Sequence, residues 1–170
     1  MTTANRIRDA REGDLQAITD IYNEAVIAGG SSADLTPRTL DQRRVWVESH
    51  CPRDLYPVVV VEDESGKVVG FGSLSRFHPR AGYDGVVELS YYVASSAQGQ
   101  GYGTSLVDWL VGAARARGHR VATALIFATN TPSVSLVRAH NFQRFGLLPH
   151  AVRTATVSGY LDMSYWYLEL

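Results

Sequence analysis

The chain has a single cysteine, Cys51, among its 170 residues. One thiol cannot form an internal disulfide, and it excludes a zinc site built from several cysteines. No uninterrupted apolar run approaches the roughly eighteen residues that a membrane-spanning helix needs. The opening Met1-Thr-Thr-Ala-Asn-Arg has no apolar core following its charge, so no secretory leader is expected. An excess of one charge is also missing. Sixteen basic residues against seventeen acidic ones leave a formal net charge of −1, which gives no whole-molecule attraction to nucleic acid or to an anionic membrane. The five histidines show no H-x-x-x-H spacing, so no metal is expected. There is no G-x-S-x-G elbow, and Cys51 lies in no nucleophile motif. Repeats of solenoid length and low-complexity segments are absent as well. What remains is 45% hydrophobic and 19% charged, which is ordinary globular usage. The length suits one domain spanning residues 1–170, and a cytoplasmic location is expected.

Periodicity divides the chain into alternating elements. Arg6 to Ala10 reads as a short strand. From Asp14, a candidate N-cap, the residues Leu15, Ile18, Tyr22, Ala25 and Val26 recur at helical spacing until Gly29-Gly30. Ser31 to Leu35 reads as loop. Thr36-Pro37 has the form of an N-cap followed by a first-turn proline, which predicts a second helix from there to about His50. Val58–Val61 and Val68–Leu74 flank the turn Glu64-Ser-Gly-Lys67, the pattern of a β-hairpin. Residues 76–85 are polar and glycine-containing, hence loop. Val86–Val93 is the next strand. A helical face of Leu106, Leu110, Ala113 and Ala114 then closes at Arg115, Arg117 and Gly118. Val121–Ala128 reads as strand, Thr131–His140 as a short helix and Tyr160–Leu170 as a final strand. The fold class is therefore α/β or α+β, a mixed sheet covered by helices.

Between the strand ending at Val93 and the following helix lies Gln98-Gly99-Gln100-Gly101-Tyr102-Gly103-Thr104. A helix start offers unpaired N–H donors and the positive end of its dipole, and glycines let a phosphate approach the main chain. No Gly-Lys-Ser/Thr follows, so this is not a nucleotide P-loop. The G-x-G-x-G spacing also differs from the dinucleotide fingerprint. A glycine-rich turn without a ligand is the alternative.

The stretch resembles the Q/R-x-x-G-x-G/A loop of the GNAT acetyltransferase superfamily, with Gln98, Gly101 and Gly103 at the matching positions. The resemblance extends along the chain. Glu88-Leu-Ser-Tyr-Tyr-Val93 is similar to the Glu-Ser-x-x-Tyr-Val strand of the phosphinothricin and methionine sulfoximine (sulfone) acetyltransferase-like members. Asn130-Thr-Pro-Ser133-Val-Ser-Leu136 is similar to their Asn-x-x-Ser-x-x-Leu helix start, and Arg80-Ala-Gly-Tyr83-Asp84 to their substrate loop. Asp162 and Trp166 fit the last strand. The opening Arg6, Ala10 and Asp14, followed by Ile21-Tyr-Asn23, fit the first strand and helix.

The resemblance implies the GNAT fold, a mixed and mostly antiparallel central sheet flanked by helices, with a splayed strand pair around an acetyl-CoA site. It implies acetyl transfer from acetyl-CoA, as co-substrate, to the primary amine of a small, amino-acid-like acceptor of the phosphinothricin or methionine sulfoximine type. It also implies a homodimer. The cofactor residues would be Tyr91, Tyr92, Val93, the loop Gln98, Gly99, Gln100, Gly101, Tyr102, Gly103 and Thr104, and Asn130 with Ser133. The acceptor would meet Arg80, Tyr83 and Glu88, and the catalytic candidates are Glu88 and Tyr92. Acetyl transfer needs a neutral amine, a stabilised oxyanion and an acceptable thiolate. Glu88 is the candidate base; a strand carboxylate paired to a nearby arginine is the alternative. A free N–H around Tyr92 and Val93 would hold the oxyanion. For the tyrosines, ordinary strand packing is the alternative. Ser133 and Asn130 could instead cap a turn and hold a loop, and Arg80 could be a solvated loop residue.

Two departures from the family pattern matter. Val137 occupies the position, four residues after Ser133, where many relatives carry a His or Tyr acid, leaving Tyr92 and His140 as candidates for that role. Ala33-Asp-Leu-Thr-Pro37 replaces the aromatic and Glu-Pro of the family's acceptor loop, which argues against phosphinothricin itself. Three rival functions follow. The acceptor could be a protein N-terminus or an aminoglycoside, although an aminoglycoside pocket would need several acids near the acceptor, and few stand there apart from Asp34 and Asp84. A non-catalytic acyl-CoA sensor would need no general acid. The basic run Arg115–Arg120 reads as a solvated helix end, with the adenosine 3′-phosphate as a second possibility.

Overall fold

The computed structural model describes residues 5–170. The segment Met1-Thr-Thr-Ala, read above for its lack of an apolar leader, lies outside them. In chain order the elements are β1 (Arg6–Asp9), α1 (Leu15–Ala28), α2 (Leu40–Ser49), β2 (Val58–Glu62), β3 (Val68–Arg76), β4 (Val86–Val93), α3 (Tyr102–Ala116), β5 (Val121–Phe127), α4 (Thr131–Ala139), β6 (Gln143–Val152) and β7 (Leu161–Glu169). The strands form one sheet in the order β1-β2-β3-β4-β5-β7-β6. Every neighbouring pair is antiparallel except β4 with β5. The mixed, mostly antiparallel sheet flanked by helices is the architecture that the motifs implied. No helix among the described residues is long and apolar enough to cross a membrane.

Strand alternation sorts the two faces. On β3, Gly70 and Gly72 face α3. A Cβ at Gly70 would stand 2.9 Å from Val61 and 3.4 Å from Leu106; at Gly72 it would stand 2.9 Å from Leu110 and 3.1 Å from the Ser90 carbonyl. These two positions let α3 lie directly on the strand. Phe71, between them, faces the other way and meets Trp46 of α2 and Tyr92 of β4. Leu106, Val107, Leu110, Phe71 and the valines of β2 are fully buried and form the centre of the core.

Three local expectations change. The second helix starts at Leu40, not at Pro37. Asn23 of α1 grips residue 38 from both sides, accepting from the Arg38 N–H at 2.8 Å and donating to its carbonyl at 2.9 Å, and this holds the chain out of helical form. Thr39 then caps in place of Thr36, its hydroxyl accepting from Gln42 N–H while the Gln42 side chain accepts from Thr39 N–H. Asp14 precedes α1 but does not cap it. Its carboxylate takes a bidentate pair from Arg8 at 2.7 and 2.8 Å and a third bond from Arg11 N–H. Arg8 also reaches Glu62 at 2.7 Å, so one guanidinium ties β1, β2 and the start of α1 together. Finally, no periodic pattern announces β6. It contains Gly146 and Pro149, is mostly exposed, and slips register against β7 in two places.

The close approach of α3 to β3 yields a stability prediction. Gly72→Val adds volume where Leu110 and a backbone carbonyl leave no room, and overpacking of this kind costs about 1–3 kcal/mol. Urea unfolding should show a lower midpoint with an unchanged m-value. An unchanged midpoint would mean that α3 does not rest on this strand as described.

Candidate functional site

The parallel pair β4–β5 has only three register pairs, Val86–Val121, Val87–Ala122 and Glu88–Thr123. Beyond Glu88 each strand stays with its other neighbour, β4 with β3 as far as Val93 and β5 with β7 as far as Phe127. The two strands part and leave a narrow cleft of about 60 Å³, lined by Leu89 to Tyr92, Ala124 to Phe127, Ser31, Asn130 and Ser133.

Hydrogen bonding fixes which peptide groups face this cleft. Ala94 N–H donates to Val69 and Phe77 N–H donates to Val86, so the even-numbered residues of β4 turn toward β3. Tyr91 and Val93 therefore turn their main-chain N–H and C=O groups toward the gap. Tyr92 does not, which shifts the expected free donors from around Tyr92 and Val93 to Tyr91 and Val93. The Val93 carbonyl is met by the Gln98 side chain at 3.5 Å.

The glycine loop closes the cleft's far end. Gly99 and Gly101 have φ of 74° and 88°, left-handed values that favour glycine. The first helical bond of α3 runs from Ser105 N–H to Gly101 carbonyl at 3.1 Å. The N–H groups of Tyr102, Gly103 and Thr104 come before it and are unpaired donors at the positive end of a 15-residue helix. Tyr102 turns its side chain into the core, so only its main chain is available to a ligand. The loop and the free edge of β4 fit a chain of amides ending in a pyrophosphate. A second observation supports this fit: the Tyr91 hydroxyl is buried in the cleft without a hydrogen-bond partner, and burial holds its pKa above the ordinary phenol range. Ser133 lies near enough to oppose that rise but makes no hydrogen bond of ordinary geometry to it. Asn130 caps α4, its side chain accepting from Ser133 N–H at 3.3 Å. The capping role considered for Ser133 thus falls to Asn130.

On the opposite face of β4 stand Glu88, Ser90 and Tyr92. Glu88 is largely buried, and burial alone pushes its pKa upward. No cation pairs with it among the described residues, so the ion-paired alternative does not hold. Tyr92 stacks on Phe71 at 5.3 Å and meets Tyr22 edge-on at 5.1 Å. Burial drives its phenol well above the ordinary range, so it stays protonated. Tyr22 bonds to Ser32 and Asp34, and Asp34 is also held by Arg38. These bonds strap the α1–α2 loop over this side.

The other candidates are more scattered. Tyr83 stacks on His78 at 4.6 Å at the surface, and Arg80 is exposed on the same loop, with no ion pair among the described residues. Arg76 is committed to Asp84 at 2.8 Å. His140 bonds Asp108 and the Leu136 carbonyl, joining α4 to α3, and does not line the cleft. Val137 is fully buried. Arg115 to Arg120 lie at the C-terminal end of α3, about 22 Å from the glycine loop by helix rise, so a 3′-phosphate beside that loop is beyond their reach. A larger depression of about 450 Å³ lies between the start of α1 and the ends of α2 and α3, and none of its lining residues belongs to β4 or the glycine loop. Sequence reasoning missed Arg43 of α2. It is buried, with its guanidinium 3.8 Å from the Tyr22 ring centroid. Only its helical position could have hinted at this.

A splayed parallel pair beside a glycine-loop helix start defines an acyl-CoA-dependent transferase. The chain belongs to the Acetyltransferase (GNAT) family, whose profile matches residues 15–142, and it is an acetyltransferase. It is 36% identical over 166 residues to an L-methionine sulfoximine/L-methionine sulfone acetyltransferase of Pseudomonas paraeruginosa, covering 96% of this chain and 94% of the relative. A GNAT superfamily phosphinothricin acetyltransferase from Sinorhizobium meliloti, solved in complex with AcCoA, superposes with a TM-score of 0.91 at 33% identity, covering 99% of this chain and 89% of the other. A ribosomal-protein-alanine N-acetyltransferase from Brucella melitensis superposes at 0.90 with 38% identity, covering 97% and 99%.

The unpaired state of Glu88 has a thermodynamic consequence. A carboxyl whose folded pKa lies above its unfolded value of ~4.3 destabilises the fold once ionised, and the penalty disappears as pH falls back toward that value. Glu88→Gln should therefore unfold at a higher urea concentration than the native chain at pH 7, and the gap should close toward pH ~4.3. A variant less stable at neutral pH would show that Glu88 is a paired structural carboxylate.

Proposed function

We propose that this enzyme moves acetyl from acetyl-CoA to the primary amine of a small amino-acid-like acceptor, by direct attack in a ternary complex. The observation that carries the reading is Glu88, desolvated and unpaired at the point where β4 and β5 part. A raised pKa brings it closer to that of an α-amino group, ~8, and improves it as a base. Glu88 takes the amine proton, directly or through one water. The nitrogen bonds to the thioester carbonyl carbon, and the oxyanion meets an N–H of Tyr91 or Val93. A donor fixed in advance at that position is worth about 3 kcal/mol of barrier. The C–S bond then breaks. A thiol of pKa ~8.5 is a tolerable leaving group, so activity survives Val137. Tyr92 is the acid candidate on this face, and because burial raises its pKa it acts by hydrogen bonding to the thiolate rather than by giving up its proton.

Gln98, Gly99, Gln100, Gly101, Tyr102, Gly103 and Thr104 would hold the pyrophosphate, and Tyr91, Val93, Asn130 and Ser133 the amide arm. Arg80 and Tyr83 would flank the acceptor's entrance. The acceptors named for the Pseudomonas relative support a small amino acid. The likeness to a ribosomal-protein-alanine acetyltransferase favours a second reading, a protein N-terminus. The aminoglycoside reading loses support because Asp34 and Asp84 are already neutralised by Arg38 and Arg76. The proposal takes residues 1–170 as one acetyltransferase domain acting in the cytoplasm, where an exposed free thiol such as Cys51 suits a reducing compartment. It includes a homodimer, supported by the open edge strand β6 with Phe145, Leu147 and Leu148 exposed.

Free-thiol release over a panel of amino acids, N-terminal peptides and aminoglycosides tests this reading. Turnover with amino acids supports it; turnover with peptides alone moves the acceptor to a protein N-terminus; coenzyme A binding without turnover identifies a sensor. Glu88→Gln should lower turnover roughly 10²-fold or more with acetyl-CoA affinity unchanged. The loss should shrink between about pH 6 and 9, as solvent deprotonates an amine of pKa ~8. A flat, wild-type-like profile removes Glu88 as the base.

Gly101→Asp tests the loop separately. A Cβ at Gly101 has nothing within 4 Å, but φ of 88° strains any side chain, so Gly101→Asn, which carries the strain without the charge, is the control. Calorimetry should show acetyl-CoA binding weakened by about tenfold or more, which is ~1.4 kcal/mol. Unchanged affinity would free the loop of its assigned anion.

A further inference from the structure

We propose that Leu125 of β5 and Tyr165 of β7 receive the side chain of the acceptor and select amino acids whose side chain is apolar and about the size of that of norleucine. This deepens the amino-acid reading above and rests on it. Register carries the acceptor face of the sheet across from β4. Glu88 is paired with Thr123, and Thr123 with Tyr167; one row further along β5, Leu125 is paired with Tyr165. Paired residues share a face, so these side chains stand on the same side of the sheet as Glu88. Leu125 also lines the cleft where β4 and β5 part. β5 is a central strand, between β4 and β7, yet Leu125 is 37% exposed. On this face α1 packs over β3 and β4, with Tyr22 against Tyr92, whereas α4 joins α3 on the opposite side of the sheet and meets β5 there.

The rows around Leu125 carry no charge. Tyr165 beside it is half-buried, and Phe145 of β6 packs edge-on against Tyr165 and Tyr167 at 6.0 and 5.8 Å. The flanking rows are Thr123 with Tyr167 and Phe127 with Met163. The Thr123 hydroxyl donates to the Val87 carbonyl at 3.0 Å and the Tyr167 hydroxyl to the Gln143 side chain at 3.3 Å, so neither donor is free for a polar side chain. An exposed apolar surface beside a reactive group is the usual form of a ligand site. The spacing fits as well. The acceptor's amine must reach Glu88, and where the strands are still paired β5 lies about 5 Å from β4, the span of a four-carbon side chain. A charged side chain laid here would lose water without gaining a partner, and an acidic one would also face Glu88.

The test measures kcat/KM on the full chain by thiol release, with L-norleucine, L-alanine and L-glutamate as acceptors. The native enzyme should prefer norleucine to alanine by roughly tenfold or more, since a single methylene in an apolar pocket is worth about that much, and it should use glutamate no better than alanine. Leu125→Ser should cut the norleucine-to-alanine ratio by about tenfold; any effect on acetyl-CoA cancels in the ratio, because both acceptors share the donor. Tyr165→Ser, away from the cleft, should lower the same ratio with the KM for acetyl-CoA unchanged. Leu125→Arg should raise the glutamate-to-norleucine ratio by about tenfold or more, because it supplies a counter-charge. Equal losses on norleucine and alanine in both serine variants would overturn the proposal, and so would a native enzyme that takes glutamate as readily as norleucine. A serine variant that changes the oligomeric state in gel filtration and loses both acceptors alike would show that a second copy covers this face, which also overturns it. A native enzyme that acetylates peptides but no free amino acid fails at the earlier step: it removes the amino-acid reading, and this inference with it.

Discussion

β4 and β5 begin as a parallel pair and part after Glu88, because each is held over a longer stretch by its antiparallel neighbour. Seven register pairs bind β4 to β3 and seven bind β5 to β7, against three between the two strands. The divergence leaves peptide groups of Tyr91 and Val93 without strand partners in the middle of a sheet. Such groups are costly to bury unless something pairs with them. An extended ligand with amides of its own can do so, as an added strand would. The glycine loop lies between β4 and α3, so the same divergence sets the unpaired N–H groups of the α3 start at one end of the gap. The buried glycines Gly70 and Gly72 let α3 lie directly against β3.

The charged groups of the molecule fall into two kinds. Those that hold the fold are paired. Arg8 bridges Asp14 and Glu62, Arg38 holds Asp34, and Arg76 holds Asp84. Those that border the acceptor side are not. Glu88 has no cation beside it among the described residues. A fold selected for stability alone would pair or remove such groups. On the other face of β4 the Tyr91 hydroxyl is buried without a hydrogen-bond partner.

Much of this was legible in the sequence, and the reason is local. The glycine loop announces itself because left-handed backbone and close approach demand glycine at fixed spacing. The strand from Glu88 to Val93, the hairpin of β2 and β3, and the α3 stripe of Leu106, Leu110 and Ala114 follow from short-range periodicity. The resemblance to GNAT enzymes rested on such local signals, and the family membership agrees with it. Where the sequence reading departed from the structure, a distant contact had overridden a local preference. Thr36-Pro37 has the form of a helix start, but Asn23 fixes Arg38 extended and moves the cap to Thr39. Asp14 has the form of a cap, but Arg8 claims it. β6 carries no pattern of its own and exists because β7 offers it a ladder.

Side-chain partnership is decided only in three dimensions. From sequence, Glu88 read as a base with half of an ion pair as the alternative, and the choice depended on whether any cation reached it through the fold. The parity that turns Tyr91 and Val93, rather than Tyr92, toward the cleft is set by the register of β4 on β3. Arg43 sits in an ordinary helical position next to Arg44. One of the two bonds Glu12 and Asp41 at the surface, and the other lies between Trp46 of its own helix and Tyr22 of α1, which meets it only after folding. The sequence by itself determined most of the elements, the glycine loop and the family, because these depend on backbone preferences within a few residues. The tertiary structure decided which charges are paired and which are not, because pairing depends on distances between residues far apart in the chain.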